Sequence, residues 1–195
     1  MTGDMRPYRP MPNHDYITYG EWGRRFFEIA VTPDRVAAAF ADNLAGREFS
    51  MEPIAQGPGG IAKVSANVKI QEPRVTRKLG DLITFVIHIP LSIDLLLDLR
   101  LDKQRFRVAG DIALRATARA AEPLLLLVEI AKPRPSDITV NVSSTSIRGE
   151  LLRVIAGVDG EIRRFIAQYV AEEIAAPEAQ AAQIIDVEQE VNARP

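Results

Sequence analysis

The spacing of apolar residues changes period twice along the chain, predicting helix, then sheet, then helix. Between Glu21 and Val31, Trp22, Phe26 and Ile29 recur at i, i+4 and i+7, the stripe of an amphipathic helix. Thr32-Pro33 restarts the helix, because a threonine oxygen caps the free N–H groups and proline is tolerated in the first turn. Val36, Ala39, Phe40 and Leu44 carry the second helix, and Gly46 marks its end.

From Phe49 onward the period becomes two. Ala62 to Gln71 alternates without a fault, with apolar residues at even positions and polar ones at odd positions, which predicts a strand with one wet face. Gly57-Pro58-Gly59-Gly60 is the turn before it. Leu82 to Ile89 reads as a further strand whose place in the sheet Pro90 limits. The strongest signal is the next hairpin. Leu91, Ile93, Leu95, Leu97, Leu99 and Leu101 share one face, as do Phe106, Val108, Gly110, Ile112, Leu114 and Ala116. Folding the pair about Lys103-Gln104 sets Leu101 against Phe106, Leu99 against Val108 and Ile93 against Leu114. On the other face Asp98 then lies diagonal to Arg107, Asp94 diagonal to Arg115, and Arg100 opposite Arg107. Leu124 to Ile130 and Ile138 to Val142 add two strands, the first apolar enough to suggest cover on both faces.

The helical period returns with Leu151, Ile155, Val158, Ile162, Phe165, Tyr169 and Glu173, widened by Leu152, Ile166, Val170 and Ile174. Gly157 and Gly160 leave open whether this is one helix or two, and Pro177 ends it. The expected organisation is an extended N-terminal arm over residues 1–19, a single α+β domain over 20–176, and a tail over 177–195. The fold class follows: N-terminal helices, then a curved antiparallel sheet of long strands wrapped on a C-terminal helix.

Composition narrows the function. With 195 residues, 47% of them apolar, the chain can bury a sizeable core. A net charge of −2 gives no basic excess, so nucleic acid is not an expected partner. The chain has no cysteine, which removes disulfides, thiolate metal sites and cysteine nucleophiles, and fits a reducing compartment. No apolar signal segment opens the sequence, and the longest apolar run, Leu124 to Val128, is far short of a membrane span; a cytoplasmic address is expected. Basic residues are mostly arginine in an Ala-rich chain, a bias of GC-rich coding sequences.

Few residues suggest chemistry. His14 lies in the arm, and His88 falls on the polar side of its strand. Asp94, Asp98 and Asp102 recur every four residues and share a face but lie about 13 Å apart, too far to hold one metal, so they read as a solvated salt-bridge ladder. The Gly57–Gly60 turn lacks the lysine and helix of a phosphate loop. Ser143-Ser144-Thr145-Ser146 has no paired base and reads as a helix cap. Pro7-Tyr8-Arg9-Pro10 matches a PxxP ligand, and Trp22, Phe26 and Phe27 with Arg24 and Arg25 fit peripheral membrane contact. No catalytic residue, metal site or cofactor is expected.

The order helix, long antiparallel strands, long helix over residues of about 20 to 175, with strands such as Ala62–Ile70 and Leu91–Ala118, resembles the tubular lipid-binding (TULIP-like) superfamily, in which a curved sheet wraps a long helix. It is also similar to the helix-grip fold of START and polyketide-cyclase-like proteins. Both resemblances imply a hydrophobic cavity between sheet and helix. The expected function is non-catalytic binding of an apolar, lipid-like molecule, lined by Phe85, Leu95, Leu97, Phe106, Val108, Ile112, Leu114 and Phe165. The alternatives are a cyclase- or hydratase-like enzyme using His88, Tyr169 or Asp111, and an interaction protein with a closed core, able to form a homo-oligomer through an edge strand.

Overall fold

The structure, a computed structural model, describes residues 14–56, 60, 62–99, 101–141 and 149–193, with the backbone alone at 56 and over 149–156. The chain divides into two compact units, Met1–Ala30 and Val31–Pro195. The PxxP stretch, most of the Gly57–Gly60 turn and the Ser143–Ser146 segment lie outside the described residues.

In the first unit, helix α1 (Tyr19–Ala30) starts under Thr18, whose hydroxyl accepts from the Glu21 N–H at 3.1 Å. Its polar side is tied by Arg24–Glu28 and Arg25–Glu21 pairs one turn apart.

The second unit opens with α2 (Pro33–Leu44). Thr32 caps it through the Arg35 N–H, and Val36, Phe40 and Leu44 form its buried stripe. Gly46 turns the chain at φ 78° and donates to the Ile70 carbonyl, leading straight into the sheet.

Eight strands make one antiparallel, curled sheet: β1 (Glu48–Gln56), β2 (Ala62–Ile70), β3 (Arg74–Lys78), β4 (Ile83–Asp98), β5 (Lys103–Ala121), β6 (Leu125–Ile130), β7 (Ile138–Asn141) and β8 (Ile184–Asp186). The path runs β1-β2-β4-β5-β6-β8, with β3 on β4 and β7 on β5. A bulge between Met51 and Ile54, with Pro53 inside it, interrupts pairing on the β1 edge.

Three expectations need correction here. Leu82 to Ile89 and the segment from Leu91 are not separate strands; β4 runs through Pro90 for 16 residues. On one side β4 pairs with β3 up to His88 and with β2 from Leu91 onward, so Pro90 falls at the handover. Its carbonyl accepts the Gln71 N–H at 2.9 Å, and no ladder bond needs the N–H that proline lacks.

The β4–β5 register also differs. Leu95 faces Phe106, Ile93 faces Val108, Ile89 faces Ile112 and Ile87 faces Leu114. The turn comes early, at Leu99 to Asp102, where Leu99 and Asp102 share a backbone hydrogen bond. The shift is by an even number of residues, so every side chain keeps its face. The ion pairs change partners: Arg107 meets Asp94 directly at 2.8 Å, and Lys103 meets Asp98 at 3.2 Å. Finally, β6 is not covered on both faces: Leu126 is buried, but Leu125 and Leu127 are half-buried and Leu124, in the preceding turn, is 58% exposed.

Gly157 and Gly160 sit within one uninterrupted helix, α3 (Gly149–Ala175), which buries Val158, Ile162, Ile166, Ala167 and Val170. The following segment is ordered as α4 (Pro177–Ala182), the edge strand β8 on β6, and α5 (Val187–Asn192), capped by Asp186.

Gly110 sits where the sheet leaves no room. A Cβ there would lie 3.0 Å from the Thr139 carbonyl oxygen and 3.2 Å from the Ile93 Cδ1. Gly110→Ala is expected to destabilise the fold by about 1–3 kcal/mol, read as a lower urea midpoint at unchanged slope.

Candidate functional site

The pleat gives the sheet one apolar face and one charged face. On the inner face, Ile83, Phe85, Ile87, Ile89, Leu91, Ile93, Leu95 and Leu97 of β4 are all buried. Val64, Ala66, Val68 and Ile70 of β2 and Val108, Ile112, Leu114, Ala116 and Ala118 of β5 continue that surface sideways. The described buried residues include no polar or charged one. The α3 backbone approaches β1 and β2 on one side and β7 on the other, which carries the helix across the strands between them.

Of the eight residues expected to line a cavity, Phe85, Leu95, Leu97, Val108, Ile112 and Leu114 come together on this face, each at most 4% exposed. Phe106 and Phe165 are half-buried. Phe165 lies against Phe49 of β1, with ring centroids 5.7 Å apart. Two open grooves border the described residues. One, of about 790 Å³, runs between α3, α4 and the Lys132–Pro135 segment; the other, of about 770 Å³, lies beside Leu91, Arg107, Val108 and Asn141. Of the eight, only Val108 borders either groove.

A polar cluster that the sequence left unassembled closes one flank of α3. Tyr169 stacks on Phe49 at 3.8 Å, with the rings within 11° of parallel. Arg47 forms an ion pair with Glu173, one helical turn beyond Tyr169. Burial pushes the Tyr169 phenol above its ordinary value of 10.0; the neighbouring Glu173 carboxylate pushes it further, and Arg47 opposes both. The one signal for this cluster was Glu173 itself, a carboxylate continuing an apolar stripe. Arg47, just after the Gly46 turn, gave none.

His88 and Asp111 point to the outer face, as their alternation requires, and meet there with Nδ1 and Oδ2 2.9 Å apart. They and Tyr169 are therefore on opposite sides of the sheet, so the three do not form one catalytic group. Among the described residues no three His, Asp or Glu side chains converge on a possible metal position. In α1, Trp22 stacks on Phe26 at 5.2 Å and is 57% exposed, with Tyr19 and Ile29 more exposed still. No helix among the described residues is long and apolar enough to cross a membrane. No protein-family model matches the chain, and no curated protein matches it.

The Tyr169 environment has a pH consequence. A phenol whose pKa is raised by folding stabilises the fold below its unfolded value, and that stability is lost as pH rises through the folded value. Unfolding free energy is expected to fall as pH rises above 10.0, and Tyr169→Phe is expected to flatten that fall. Denaturant melts at a series of alkaline pH values check this; equal slopes for both proteins contradict it.

Proposed function

We propose that the protein binds an apolar, lipid-like small molecule, without catalysis, between the inner face of the sheet and α3. This is the arrangement of the tubular lipid-binding and helix-grip proteins that its element order resembles. The observation that carries the reading is the uninterrupted apolar surface of β2, β4 and β5, crossed by a helix whose backbone approaches β1 and β2 on one side and β7 on the other. Such a surface selects ligands by shape and area, with few polar contacts. The enzyme reading has less support. Of its three candidates, His88 and Asp111 pair with each other on the far face, and Tyr169 is engaged with Glu173 and Arg47. A cytoplasmic address belongs to the same reading, supported by the cysteine-free composition.

Native mass spectrometry of freshly purified protein, followed by organic extraction, tests the proposal. The expected result is a stoichiometric added mass that extracts as a lipid, fatty acid or isoprenoid. A protein with no added mass that also fails to take up a fluorescent fatty acid contradicts the reading and favours the closed-core interaction protein.

A further inference from the structure

The inner face of the sheet is not equally covered across its width. Every inner position of β4 from Ile83 to Leu97 is buried. Along β6 the cover thins: Leu126 is buried, whereas Val128 and Ile130 are half-buried. Ile130 stands opposite the buried Ala116, so it belongs to the same face. The groove of about 790 Å³ opens at this margin, with Ile130 on one side and Ala167, Ala171 and Ile174 of α3 on the other. Its volume falls in the range of small-molecule sites.

Along α3 the groove reaches from Arg164 to Ala175, about 16 Å of helix. Gln183, at the end of α4, ties that wall in place. Its side-chain amide donates to the Ala179 carbonyl at 3.1 Å and to the Ile174 carbonyl at 3.4 Å. The charged residues along the groove are Lys132, Arg164 and Glu172. Arg164 pairs with Glu161, which lies outside the lining, and the Glu172 carboxylate accepts from the Gln168 amide at 2.9 Å. Asp137, two residues past Pro135, is held by Arg134. Lys132 has no ion pair among the described residues. With Glu161 counted, the charges about the groove cancel, so no net field draws anions in. Recognition of an anion there rests on Lys132 locally. In the other groove the one charged residue among those described is Arg107, and Asp94 holds it.

We infer that the groove between α3, α4 and the Lys132–Pro135 segment seats a single-chain aliphatic carboxylate, its chain along α3 and its head at Lys132. This deepens the lipid-binding reading and rests on it. The ligand meets the inner face at the β6 margin, where Ile130 is half-buried, and not over β4, where the packing is closed. A long, mostly apolar trench suits one extended chain, and an ammonium without an ion pair forms a charge-assisted hydrogen bond with a carboxylate that an alcohol cannot match.

Titration of the passenger-free full chain with dodecanoate and with dodecanol, each displacing a fluorescent fatty acid, tests the assignment. Dodecanoate is expected to bind roughly tenfold more tightly than dodecanol. Lys132→Glu should erase that preference while leaving dodecanol binding as in the parent. Its position is exposed, so circular dichroism should report an unchanged fold. Ala171→Trp fills the groove and should abolish binding of both compounds. Arg107→Glu, beside the other groove, should bind like the parent. The assignment is overturned by equal affinity for the two compounds, by a preference that survives Lys132→Glu, by full binding in Ala171→Trp, or by loss on Arg107→Glu instead. Uptake of apolar ligand that ignores both groove variants overturns this site and leaves the sheet-and-helix reading standing. A protein that carries no passenger and takes up neither compound nor the fluorescent fatty acid overturns that reading, and this site with it.

Discussion

The pairing of β4 with β5 is the constraint on which the rest of the sheet depends. It runs unbroken from Ile83–Ala118 to Asp98–Lys103. Every other strand but two is hung directly on this ribbon: β2 and β3 share the free side of β4, and β6 and β7 share the free side of β5. The two exceptions, β1 and β8, pair with β2 and β6 in turn. A period-two pattern kept for this long leaves one face almost wholly aliphatic, and that face must be covered by helices. Two residues that look hostile to a central ribbon are accommodated by its geometry. Pro90 sits where the neighbour changes from β3 to β2, and Gly110 makes room for the Thr139 backbone of β7.

The sequence displays faces far better than registers. Whether a side chain of β2, β4 or β5 points in or out was legible from alternation, because a slip of one residue would bury Asp94, Asp98 and Arg107. An even slip costs no such burial, so alternation alone did not separate the observed β4–β5 register from one displaced by several residues. The charges decide what the pattern leaves open: the observed register sets Asp94 opposite Arg107 and Asp98 opposite Lys103, whereas the other sets Arg100 opposite Arg107. Short strands were hidden for a different reason. On β3 an inward position is held by Arg77, which is kept there by its hydrogen bond to the Val31 carbonyl at 3.0 Å. On β1 the bulge at Pro53 breaks the alternation. Helix boundaries at Thr32 and Gly46 were readable because capping chemistry is local.

The candidate site was legible in the same uneven way. Of the eight residues expected to line a cavity, six lie buried together on the inner face, a placement that alternation alone fixes. The Tyr169–Glu173–Arg47 cluster needed the path of α3 over β1, which no local pattern encodes. The functional reading follows from the contrast between the faces: an apolar trough on one side, and on the other a surface of matched ion pairs. Surface pairs of this kind contribute little to stability.

The register is the claim from which the trough is drawn, and the absence of native cysteine makes it directly testable. Oxidative cross-linking of two outward-facing pairs is the most direct measurement. Asp94→Cys with Arg107→Cys should close a disulfide readily, because residues directly opposite on neighbouring strands lie within bridging range. Asp94→Cys with Ala113→Cys should not. Efficient closure of the second pair and failure of the first would contradict the register, and with it the assignment of Leu101 to the tip of the hairpin.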